Sequence, residues 1–88
     1  MNNNSTLNTE RNICVNSVWK HFKGEYYKVI CVAKHTETEE ELVVYEHISN
    51  SKIYARPIDI FLSKVDKEKY PNATQEHRFE EVSSHNDT

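Results

Sequence analysis

The stretch "EYYKVICVAKHTETEEELVVYEHI", residues 25 to 48, decides how this 88-residue chain folds. Two runs rich in Val, Ile and Tyr, 25–34 and 41–48, flank a polar segment, 35–40. Branched and aromatic side chains pack well on a pleated surface, so both runs are expected as strands. In the first run, Tyr27, Val29, Cys31 and Ala33 fall on one face and Tyr26, Lys28, Ile30 and Val32 on the other. Both faces turn apolar at the centre, as in a strand covered on each side or curled into a small barrel. The polar segment has the right length to join the runs as an antiparallel hairpin.

Outward from that hairpin, the punctuation is consistent. Gly24 is the only glycine and separates "VNSVWKHF" from the Tyr26 strand, where a turn calls for positive φ. "SNSK" (49–52) is a second turn, and the short strand "IYAR" must end or lie at an edge because Pro57 lacks a ladder donor. Ile58, Phe61, Leu62 and Val65 then follow i, i+3, i+4, i+7, which predicts about two helical turns starting at Pro57. A polar loop (66–76) leads to a last strand, "HRFEEV" (77–82). The expected fold is mainly β: a small SH3-like five-stranded barrel with one short helical turn before the last strand.

That domain is assigned to residues 15–83. Residues 1–14 and 84–88 are too polar to offset the cost of ordering and are expected as disordered tails. Roughly 65 to 70 folding residues lie near the lower limit for a single core without staples. No charged-then-apolar leader follows Met1, and no run approaches the ~20 apolar residues needed to span a membrane. A cytoplasmic protein with reduced Cys14 and Cys31 is the expectation, with Cys31 as inert packing.

Several functions are closed off by the residues. One glycine cannot build a phosphate loop, a Gly-x-Gly-x-x-Gly turn or a nucleophile elbow. The five histidines and two cysteines show no metal-ligand spacing, so neither metal nor cofactor is expected. A net charge of −3 does not favour nucleic acid as partner.

The candidate site residues have two readings each. His35, Thr36, Glu37 and Thr38 are either a ligand-gripping cluster at a barrel mouth or a turn whose side chains bond local backbone groups. His21 and Lys23 alternate along the first strand and either flank a groove, with Tyr27 nearby, or form a solvated face. Arg56, beside rigid Pro57, either forks onto an external anion or pairs with Glu37 or Asp59. Tyr26 and Tyr54 are expected at the surface, the other aromatics in the core.

"WKHFKGEYYKVICVAKHTETEEELVVY", "YARPIDIFLSKV" and "HRFEEV" together resemble domain of unknown function family 1653 (DUF1653), small bacterial and phage domains. The likeness spans about residues 19–82. His21, Phe22, Lys23, Gly24, Tyr27, Ala33, His35, Glu37, Thr38, Val43, Val44, Tyr45, Arg56, Pro57, Phe61, Arg78 and Phe79 stand where that family's pattern has them. Thr36, Tyr54, Ile60 and His77 depart from it, and the 66–76 loop is longer. The resemblance implies the barrel and no assigned activity.

The sequence thus points to a non-enzymatic binding module. Its rim of His21, Lys23, Tyr27, His35, Thr36, Glu37, Thr38 and Arg56 would take a small anionic ligand or a protein segment, and a homodimer would bury open strand edges. The alternatives are an enzyme using His35 and Glu37 as an acid–base pair on a metabolite or nucleotide, and a nucleic-acid-associated accessory domain.

Overall fold

The structure, a computed structural model, describes residues 13–83; apart from Ile13 and Cys14, the two expected tails lie outside it. The elements are β1 (Val18–His21), β2 (Tyr26–Lys34), β3 (Glu41–His47), β4 (Ile53–Pro57), α1 (Ile58–Phe61) and β5 (Phe79–Ser83). All strand pairs are antiparallel, in one five-stranded sheet of order β4-β3-β2-β1-β5. The mainly β fold, its five strands and the helical turn before the last are those the patterning predicts.

Closure differs from the expectation. The edge strands β4 and β5 are not paired with each other, so the sheet is a curled, open one and a barrel only approximately. Side chains span the seam instead. Phe61, delivered by α1, stacks on Phe79 of β5 with centroids 4.1 Å apart and packs edge-on to Trp19 at 5.3 Å. Trp19, Val29, Val43, Tyr45, Phe61 and Phe79 form the core, with Ile13, Ile58 and Leu62 against it. Packing at Ile13 starts the core before Val15.

The turns close as their residues require. Gly24 takes φ 107° with open space around it, so the backbone angle rather than crowding calls for glycine. The β2–β3 register reveals a bulge: Val29 pairs with Tyr45, but Cys31, not Ile30, pairs with Val44. The extra residue reverses the alternation beyond it. Val32 therefore shares a face with Val43, and Cys31 is exposed rather than packed. A strict period of two cannot reveal a one-residue insertion.

The helix is shorter than its stripe. Ile58, Phe61, Leu62 and Val65 all turn toward the core, yet α1 ends at Phe61. Ser63 bonds back to the Ile60 carbonyl (2.6 Å), and the chain then extends to pair with the segment before β5. The Val65 N–H donates to the Glu76 carbonyl (2.9 Å) and the Arg78 N–H to that of Ser63 (2.8 Å). Those bonds replace a second helical turn. Pro57 stands at the N-cap and closes β4 at the sheet edge.

Candidate functional site

Antiparallel partners present their side chains to the same face. Trp19 pairs with Tyr27 and Tyr27 with His47; Val29 pairs with Tyr45 and Tyr45 with Tyr54; Val43 pairs with Arg56, and His21 with Phe79. These positions line the concave face of the curled sheet. Trp19, Val29, Val43 and Phe79 are its buried floor. His21, Tyr27, His47 and Arg56 are half-buried around it, and Tyr54 is 41% exposed.

The rings interlock. Tyr27 makes edge contacts with His21 (6.3 Å), Tyr45 (5.3 Å), His47 (4.9 Å), Tyr54 (6.4 Å) and Phe79 (5.6 Å). His21 packs edge-on to Phe79 at 4.9 Å. The Arg56 guanidinium lies over that same Phe79 ring, 5.8 Å from its centroid. Quadrupolar ring faces favour such a cation when it is partly desolvated.

Positive charge gathers on this face. His21 is held down to a pKa of about 4, first by burial and then by the charges of Arg56, Arg78 and Lys23, with Glu25 acting the other way. Its Nδ1 accepts the Lys23 N–H (3.1 Å), so the neutral ring carries its proton on Nε2. Burial raises the Tyr45 hydroxyl pKa, against which the Arg56 charge, its side-chain hydrogen bonding and the Arg78 charge pull. Arg78 is anchored by Nε to Ser63 Oγ (3.3 Å). Among the described residues, neither arginine forms an ion pair with a carboxylate. The expected pairing of Arg56 with Glu37 or Asp59 is therefore not made.

Glu25, the acid whose charge reaches His21, has other partners. Glu25 accepts the Tyr27 hydroxyl (3.2 Å) and sits 3.7 Å from His47 Nε2. Burial, then the Glu25 charge and hydrogen bond, push Tyr27 up to about 12, so it stays a protonated donor.

The sequence-derived rim residues separate into three places. His21, Tyr27 and Arg56 meet on the concave face. Lys23 leaves β1 for the turn, where its ammonium lies 5.2 Å over the Tyr70 ring. His35, Thr36, Glu37 and Thr38 sit at the tip of the β2–β3 hairpin, where polar atoms turn onto one another. His35 Nδ1 accepts the N–H groups of Glu37 (3.0 Å) and Thr38 (3.3 Å), and Thr38 Oγ1 accepts that of Glu40 (3.2 Å). The His35 carbonyl takes the N–H of Glu39 (2.8 Å), which sits at φ 66°. Side-chain caps of this kind fix a turn. Tyr45, Tyr54, Arg78 and Phe79 complete the concave cluster without having been singled out for it. Following alternate residues across paired strands finds Tyr45, Tyr54 and Phe79 once the register is known; Arg78, just before β5, escapes that rule.

Two further facts bound the chemistry. Among the described residues, no group of three or more His, Cys, Asp or Glu is placed to hold a metal ion, and no helix is long and apolar enough to cross a membrane.

Fold and site together define a small single-sheet β protein whose concave aromatic face carries arginine that is not ion-paired with a carboxylate among the described residues. Residues 17–81 match the family model described as "Protein of unknown function (DUF1653)", and the chain belongs to that family. Comparison with curated proteins and with solved structures returns no match.

Proposed function

We propose that the protein is a binding module whose concave face takes a small anionic ligand, or the carboxylate of a protein segment, between Arg56, Arg78 and His21. The observation that carries this reading is the charge balance of the cluster. Two guanidinium groups act on one half-buried imidazole, and neither has an acidic partner among the described residues. Partly desolvated charges of one sign are costly unless compensated, and an incoming anion supplies the compensation. Arginine forks suit carboxylate and phosphate geometry, while the Tyr27 and Tyr54 rings give the ligand an apolar wall. The His21 Nε2–H is a further donor for the anion, since Nδ1 is taken by the Lys23 N–H.

The acid–base enzyme reading has less support. His35 Nδ1 already accepts two backbone N–H groups, which leaves it poorly placed to work on a substrate with Glu37.

Calorimetric titration with inorganic phosphate and with acetate tests the proposal. Wild-type protein binds at least one of them, and Arg56→Gln or Arg78→Gln weakens that binding about tenfold or more, the worth of one charge-assisted hydrogen bond. No heat from wild-type protein, or wild-type affinity in both variants, would falsify it.

A further inference from the structure

A second cavity, of about 330 Å³, opens between the β1–β2 turn and the 66–76 loop. Phe22, Lys23, Lys69, Tyr70 and Pro71 line it. Its walls are held in place by their own bonding. The Asp66 carboxylate accepts the N–H groups of Glu68 (3.0 Å) and Lys69 (3.4 Å), and the Tyr70 N–H donates to the Asp66 carbonyl (2.8 Å). The Gln75 amide donates to the Lys20 and His77 carbonyls, 3.0 Å each, which pins the loop to β1. Tyr70 then meets Phe22 edge-on at 4.9 Å. The ammonium groups of Lys23 and Lys69 lie over the Tyr70 ring at 5.2 and 5.7 Å.

From this geometry we infer that the cavity is a second ligand site, for a phosphate monoester carried on a flat ring, the chemistry of a nucleoside monophosphate. Size sets the class of occupant. The cavity matches the lower end of the range of roughly 300–1,000 Å³ typical of small-molecule sites, enough for one compact ligand. Charge sets the anion. Two lysines converge, neither paired with a carboxylate among the described residues, and Asp66 is occupied by its own turn. A phosphate monoester brings close to two negative charges at neutral pH, whereas a carboxylate brings one. The walls set the remainder: Phe22, Tyr70 and Pro71 offer apolar surface and ring faces to a planar group. Phe22 and Lys23 border the concave cluster through His21, which stacks on Phe22 at 4.6 Å and accepts the Lys23 N–H, whereas Lys69, Tyr70 and Pro71 belong to this cavity.

NMR titration of 15N-labelled protein with adenosine monophosphate, adenosine and inorganic phosphate as separate probes tests the inference. The monophosphate shifts amides of residues 69–73 and saturates in the submillimolar to millimolar range. Adenosine and phosphate each bind about tenfold more weakly or worse. The double variant Lys23→Ala/Lys69→Ala, which truncates two exposed side chains and keeps the fold, loses about tenfold in the affinity read at residues 69–73. Three results overturn it: no shifts at these residues, adenosine binding as tightly as its monophosphate, or undiminished affinity in the double variant.

Discussion

Arg56 of β4 and Phe79 of β5 belong to the two unpaired edges of one sheet, yet the guanidinium sits 5.8 Å above the phenyl ring. The sheet therefore curls far enough for its first and last strands in spatial order to share a concave face without being paired as strands. Side-chain contacts hold the seam, and the core and the proposed binding face are two levels of one cluster. Phe79 serves both: its ring lies parallel to Phe61 at 4.1 Å and carries Arg56.

Phe79→Ala is expected to destabilise the protein by about 3 to 5 kcal/mol, the usual range for removing a fully buried aromatic. A domain this small has little more than that to lose. Urea denaturation will show a variant largely unfolded in buffer, whereas Phe79→Leu keeps the fold with a lower midpoint. A Phe79→Ala midpoint near wild type would mean that the seam does not rest on this ring.

His21 makes stability depend on pH. Its folded pKa is about 4 against an ordinary 6.5, chiefly through burial and then the arginine charges. The unfolded chain binds the proton more readily, so the contribution is complete above pH 6.5 and is lost as pH falls through that value toward 4. The loss is about 1 to 2 kcal/mol, below the nominal conversion of the shift because solvent screens a half-buried ring. Thermal melts of wild type and His21→Gln between pH 4 and 7 measure it. The variant should have the flatter profile, and parallel profiles would contradict the assignment.

Ser17 is fully buried, accepts the Trp19 indole N–H at 2.8 Å and donates to the Cys14 carbonyl. Ser17→Ala leaves a buried N–H without that acceptor and should cost about 1 to 3 kcal/mol. Ser17→Thr retains the hydroxyl but adds a methyl group to a closed site, and should recover part of the loss at most. Chemical denaturation of both variants checks the order.

His35→Ala removes the acceptor for the Glu37 and Thr38 N–H groups. Faster hydrogen exchange should appear at the amides of residues 37–40, with anion affinity at the concave face unchanged. A drop in affinity equal to that of Arg56→Gln would instead make the hairpin tip part of the site.

The strands and turns were legible because each rests on local chemistry: Val, Ile and Tyr runs for β2 and β3, Gly24 at positive φ, and Pro57 at the edge. The site was legible only in pieces. Residue type and alternation point to His21, Tyr27 and Arg56, but no local signal shows that curling brings β4 to β5. The bulge at Ile30 reverses which side of β2 faces inward beyond it, so alternation alone places Cys31 in the packing whereas it is exposed. The hairpin tip drew attention because His, Thr and Glu side chains are versatile. The three-dimensional turn instead ties His35 Nδ1 and Thr38 Oγ1 to neighbouring backbone N–H groups.

The most direct measurement of the central claim is the His21 imidazole titration followed by NMR, with and without saturating inorganic phosphate. Without phosphate the midpoint should lie near 4; with it, the midpoint should rise by about one pH unit or more, because an anion between the two arginines favours the imidazolium. A midpoint that phosphate leaves in place would contradict an anion site on this face.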